Sequence, residues 1–205
     1  MNKHLMWLPA TALALALAGQ AALSYSAGPT TVVHASWKFQ PKSIREARDK
    51  AESVVQAEVV AVERGEDLVV PAAGEPTGED RIPTQKITVK VKKAHKGSAK
   101  PGETLQLFQT GGAVLPVAPA GGPEKKDVRI KARTVILEGD PLYQPGEEYM
   151  LMLEPGPRGL LRPVSPEGRF KVEPGGSVKP MVDNDVTAKL RGKPVAELER
   201  EIEGR

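Results

Sequence analysis

The sequence predicts a mainly β chain folded as a single small barrel or sandwich, and three observations carry that expectation. Short apolar or alternating runs recur between turn signals. Gly 20 and Pro 19 in 205 residues supply turns above ordinary usage and below the level of disordered chains. No strand-like run leads through a long amphipathic segment into another strand, as βαβ units require. With aromatic residues at 4% and no Cys, the core must come mostly from Val, Leu, Ile and Ala, without disulfide or thiolate-zinc support.

In chain order, residues 1–26 read as an export signal: Lys3 is the positive end, Leu5 to Ala18 the apolar stretch, and small residues follow. Gly19-Gln20-Ala21, Ala22-Leu23-Ser24 and Ser24-Tyr25-Ser26 all offer cleavage sites. The rival reading is an uncleaved anchor from Leu5 to Leu23, which its Ala content, Pro9, Gly19 and Gln20 disfavour. Residues 27–42 read as an extended segment. Ser43-Ile44-Arg45-Glu46 then fits a capping box and predicts a short helix to about Ser53. The run Val54 to Val62 is apolar on both parities, as expected of a central strand buried on much of both faces.

Gly65 to Pro83 reads as a long surface loop. Ile87, Val89 and Val91 alternate with Thr88, Lys90 and Lys92, the mark of a half-buried strand ending near the turn Lys96-Gly97. Thr104 to Gln109 forms the next strand, and a second loop is expected from Gly111 to Asp127. Val128, Ile130 and Ala132 alternate with Arg129, Lys131 and Arg133, and this strand continues to Leu137. Tyr149 to Leu153, Leu160 to Val164 and Arg169 to Val172 complete the β set. Pro194 suits a helix N1 position, with Val195, Leu198 and Ile202 on one stripe. The expected organisation is a barrel domain over 43–175 and a C-terminal extension over 176–205 with that short helix.

The order of these motifs resembles exported bacterial proteins of unknown function that carry an OB-fold of the netrin-like, or TIMP-like, kind. The resemblance is carried by the Val54 to Val62 strand after a short helix, the alternating strand ending at Lys96-Gly97, the run Gly146-Glu147-Glu148-Tyr149-Met150-Leu151-Met152-Leu153, and Gly168-Arg169-Phe170-Lys171-Val172. Together these cover most of 43–173. The resemblance implies a small OB-like barrel with a helix at each end. TIMP-like inhibitors chelate their target's zinc through an N-terminal Cys, an atom this chain lacks.

Charge excludes little. Of 29 basic residues only Lys3 precedes position 38, so the exported part carries 28 against 26 acidic residues, too balanced for a nucleic-acid binder. No nucleophile elbow or P-loop occurs; Arg191-Gly192-Lys193-Pro194 is the nearest approach. His34 and His95 lack the spacing of metal ligands. Asp183-Asn184-Asp185 does not open an EF-type loop, since Ala188 and Pro194 stand where Gly and Glu are required. Glu138 and Asp140, flanking Gly139, read as a turn rather than as paired acids for hydrolysis. No catalytic residue, metal or cofactor is expected.

Two candidate surfaces remain. Lys86, Lys90, Lys92, Lys93 and Lys96, with Arg129, Lys131 and Arg133, would form a cationic face for an envelope polyanion if their strands lie close. Leu68, Val69 and Val70, with Val114, Leu115 and Val117, put apolar side chains on the two expected loops, where they could meet a protein partner. The sequence thus predicts a secreted or extracytoplasmic, non-enzymatic monomer that binds an unknown protein or polyanion. Membrane attachment is expected only if the signal stays uncleaved. The alternatives are an inhibitor or modulator of an exported enzyme acting through its loops, and a hydrolase of unrecognised site.

Overall fold

The computed structural model describes residues 29–34, 37–71, 79–114 and 133–204. The export segment 1–26, the interior of the second expected loop, and Leu115, Val117, Arg129 and Lys131 lie outside them. In chain order the described elements are β1 (Thr30–Val33), α1 (Ile44–Lys50), β2 (Ser53–Arg64), β3 (Leu68–Pro71), β4 (Glu79–Ile82), β5 (Thr84–Lys96), β6 (Thr104–Val114) and β7 (Arg133–Leu137). There follow β8 (Glu148–Pro155), β9 (Leu161–Pro163), β10 (Arg169–Val172), β11 (Val178–Pro180) and α2 (Val195–Glu203). Among the described residues the fold is mainly β, 49% strand, with a closed five-stranded barrel.

The barrel ring runs β2, β5, β6, β9, β8 and back to β2. Every contact is antiparallel except β6 with β9, which meet in parallel at the single pair Leu107 and Leu161. Strand β2 closes the ring because it is coiled: its register against β5 shifts between Val54 and Val55, between Gln56 and Ala57, and between Val59 and Ala61. Such bulges sharpen the local twist, so β2 pairs with β5 along its length and with β8 over Ser53–Glu58.

The apolar residues of β2 and β8 divide between two cores. Val55, Ala57 and Val59 face the barrel interior with Ile87, Val89, Val91, Leu107, Leu151 and Leu153. Val54, Met150 and Met152 face outward, where Ile44 and Ala47 of α1, Leu198 and Ile202 of α2, and Phe170 cover them. Both parities of the Val54 run are therefore consumed. Burying one such side chain stabilises by about 1.5–3 kcal/mol, so the helices are integral to the fold.

Helix α1 starts where the Ser43 hydroxyl accepts the Glu46 N–H (3.1 Å) and Glu46 in turn accepts the Lys42 N–H (2.7 Å). Its other end is closed by Lys96, whose Nζ donates to the carbonyls of Arg48, Asp49 and Ala51, groups left without helical partners. Helix α2 begins one residue later than expected: Pro194 is its cap residue, and Gly204 ends it in the left-handed region at φ 74°.

Two expectations are corrected. The stretch 65–83 is not simply a loop, because Leu68 to Pro71 pairs with Glu79 to Ile82 as a separate two-stranded hairpin. Leu68, Val69 and Val70 are β-branched or apolar and their backbone N–H and C=O groups find partners there. Gly111 to Val114 belong to β6 rather than to a second loop. Gly111 and Gly112 take φ +112° and +131°, and a Cβ on Gly111 would lie 2.8 Å from the Val135 carbonyl oxygen. Only glycine lets β6 pass this close to β7. Within the extended N-terminal segment, β1 pairs in parallel with β7.

Candidate functional site

The lysines of β5 are mostly engaged. Lys86 pairs with Glu63 (2.7 Å), Lys92 with Glu148 and with Glu58 (3.5 Å), and Lys93 with Glu199 of α2 (2.7 Å). The bond from Glu148 raises the Lys92 pKa, with burial opposing. Lys96 closes α1, and Lys90 stands opposite Glu58 in register. The bulges turn Lys93 and Lys96 toward the helices while Lys90 and Lys92 face elsewhere. Arg133 opens β7, which β6 separates from β5. Sequence spacing could not reveal these partners because all are long-range.

The other sequence candidates are equally local in role. Val69 is exposed on β3, flanked by half-buried Leu68 and Val70, and Val114 ends β6 opposite Arg133. His34 is exposed and bonds Glu138 (2.6 Å). Asn184 caps the turn before Leu190, accepting the N–H groups of Val186 and Thr187 and donating to Glu167, while Asp183 pairs with Arg191. Among the described residues no group of three or more His, Asp or Glu is placed to hold a metal ion. His95 is buried against α2, with Nε2 3.5 Å from Glu199, and burial lowers its pKa.

A site not anticipated from the sequence lies where β6 and β9 part beyond the Leu107–Leu161 pair. Here a cleft of about 560 Å³ opens between the segment Trp37–Phe39, Phe108 to Thr110 of β6, and Arg162 to Pro166 at the end of β9 and beyond it. Trp37, Phe39 and Phe108 all line it, three of the six aromatic residues beyond position 26. Glu154 sits at one edge, accepting two bonds from Arg162 (3.1 and 2.8 Å) and pairing with Lys50 (3.5 Å).

Arg169 of β10 forms part of the cleft wall, and its side chain is 1% exposed. Register with Leu151 points it to the inner side of the sheet, while its neighbour Phe170 joins the outer core. Its guanidinium carbon lies 3.4 Å from the centre of the Tyr143 ring and 4.7 Å from that of Tyr149. The two rings meet edge to face at 5.0 Å. Nη1 donates to Asp140 Oδ1 (2.7 Å) and to the Pro141 carbonyl (2.6 Å). Gln109 fixes the same turn, donating to the Pro141 carbonyl (3.0 Å) and accepting the Tyr143 N–H (3.3 Å). Asp140 and Glu138 are therefore not a catalytic pair in geometry: the Asp140 carboxylate is occupied by Arg169, and Glu138 faces His34.

Desolvation dominates this cluster. Burial raises the Asp140 pKa, and Arg169 opposes without cancelling it. Burial likewise raises both phenols, Tyr149 to about 12. The Tyr149 hydroxyl donates to Glu147, which also pairs with Lys171 (2.7 Å). Burial pulls the Glu147 pKa upward, but the bonds from Lys171 and Tyr149 hold it below the ordinary carboxylate value. Arg169 Nε and Nη2, and the Ser165 hydroxyl, are buried without a hydrogen-bond partner.

The sequence hid this site because its parts come from separated segments. The one available signal was the scarcity of aromatics, which makes Trp37-Lys38-Phe39 and Phe108 conspicuous. Compared with known proteins, the chain matches no family model and no curated protein.

Proposed function

We propose that this chain is an exported, non-enzymatic binding domain whose OB-like, netrin-like barrel receives a ligand in the cleft beside β6 and β9. The ring order, with one parallel contact closing an otherwise antiparallel five-stranded barrel, supports the OB-like reading, since such barrels bind at their open faces and adjoining loops. The observation that carries the functional reading is the gathering of Trp37, Phe39 and Phe108 on one concave surface in a chain with so few aromatics. Pockets that bind small molecules combine apolar walls with a few fixed polar groups, and here Gln109 and Ser165 supply the latter. A polyanion face on β5 is less well supported, because Lys86, Lys92 and Lys93 each already hold a carboxylate.

The test is a screen of small aromatic acids, amides and sugars against the ¹⁵N-labelled protein, following the Trp37 indole N–H and the backbone amides of Phe108 to Thr110 and of Val164 and Ser165. Shifts clustered there with at least one compound are expected. Shifts confined to the β5 lysines or the β3–β4 hairpin would refute the cleft. Export is tested by cell fractionation with intact mass: a trimmed chain outside the cytoplasm is expected, and a full-length chain in the membrane would replace the signal with an anchor.

A second reading rests on Val69, exposed by 51% on the hairpin arm. It makes that arm the contact to an exported enzyme, and Val69→Asp would then abolish a stoichiometric complex.

A further inference from the structure

The guanidinium of Arg169 is half used. Nη1 serves Asp140 and the Pro141 carbonyl, and the ring of Tyr143 covers one face at 3.4 Å. What remains is the edge formed by Nε and Nη2, both buried and without a partner in hydrogen-bond geometry, while the Tyr149 phenol also interacts with the guanidinium. These two N–H groups run parallel on one side of a rigid planar group, the arrangement that matches the two oxygens of a carboxylate. An unsatisfied donor of this kind in a buried setting carries an unrecovered desolvation cost, which an entering acceptor would remove.

The surroundings favour an anion with an apolar body. Lys38, Lys50, Arg162 and Arg169 line the cleft against Asp140 and Glu154, four cations to two carboxylates, so a single negative charge still leaves the cleft net positive. Trp37, Phe39 and Phe108 offer flat apolar surface on the cleft wall. Ser165, whose buried hydroxyl has no partner, belongs to the same cleft wall and offers a further donor. We infer that the cleft is a carboxylate site, in which the Nε–Nη2 edge of Arg169 takes the two oxygens of a small organic acid whose flat or apolar body lies against Trp37 and Phe108. The inference rests on the cleft being the binding site. The edge is screened from water in the empty cleft, so the pairing with an acid forms in a medium of low dielectric that strengthens it.

The test compares 3-phenylpropionate with 3-phenylpropanamide, which differ only in the charged group, at neutral pH against the full chain. Calorimetry gives affinity, and the Arg169 Nε–H resonance of the ¹⁵N-labelled protein reports on the edge itself. The acid is expected to bind roughly tenfold or more tightly than the amide and to move the Arg169 Nε–H downfield with slowed solvent exchange. Arg169→Lys, which keeps the charge but loses the paired donors, is expected to reduce the acid to the amide's affinity. Should that variant not fold, the Nε–H resonance of the unaltered protein decides. Equal affinities with shifts in the cleft would overturn the carboxylate inference and leave the cleft as a binding site. Acid binding that leaves the Arg169 Nε–H unmoved would also overturn it, as would no binding of either compound; the cleft reading itself falls only if the wider screen finds no ligand there.

Discussion

Arg169 shows how much of this fold's polarity is concentrated in one side chain. It is buried between two phenol rings and tied to the Asp140 carboxylate and a backbone carbonyl. Removing one partner leaves the other charge or dipole stranded, so Asp140→Asn is expected to cost about 3–5 kcal/mol in urea unfolding. Tyr143→Leu removes the ring that lies on the guanidinium and is expected to lose about 0.5–2 kcal/mol of cation–π attraction in addition to packing. His95 offers a pH-dependent counterpart. Burial favours its neutral form, so its folded pKa lies below the unfolded value. Above the unfolded value, near 6.5, neither state is protonated and its contribution is complete; as pH falls through that value and then the folded one, the unfolded state binds the proton more readily and stability declines. Stability curves at pH 7 and pH 5 are expected to differ less in His95→Gln than in the native chain. Glu147 acts lower on the scale: its depressed folded pKa contributes stability above the ordinary carboxylate value, lost as pH falls through the folded one.

At the scale of elements, the helix ends and the bent strand are the points where single changes tell most. Ser43→Ala is expected to cost about 1 kcal/mol. Lys96→Met strips donors from three carbonyls at the end of α1 and is expected to cost about 1–3 kcal/mol in thermal or urea unfolding. Gly111→Ala brings a Cβ to 2.8 Å from the Val135 carbonyl oxygen at φ +112° and is expected to destabilise by more than about 1 kcal/mol. These elements were unequally legible. The Ser43 and Glu46 pattern could be read because its bonds span four residues. The double burial of Val54 and Val55 could be read because it leaves apolar residues on both parities. The extension of β6 through Gly111 could not, since its cause is the approach of β7, an element distant in sequence. The β3–β4 hairpin was hidden for a related reason: its flanking prolines mark turns, whereas its ladder pairs Leu68 with Ile82.

For the whole molecule, the two cores share β2 and β8, so barrel and helices should melt together. Leu151→Ala inside the barrel and Leu198→Ala beneath α2 are each expected to cost about 2–5 kcal/mol, with circular dichroism and tryptophan emission giving the same midpoint in each variant. Separate transitions would mean that the helical layer is dispensable. The cleft was illegible at this scale because Trp37, Phe108, Ser165 and Arg169 meet only when the ring closes. That closure depends on the single parallel pair of Leu107 and Leu161, whereas β9 holds β8 through three pairs. The ring is thus latched rather than welded: amide exchange should reveal an opening in which β9 leaves β6 but stays with β8, turning the barrel briefly into an open sheet. A compound seated in the cleft bridges both lips of that latch, so it should slow exchange at Leu107 and Leu161 more than in the lumen-facing residues of β2.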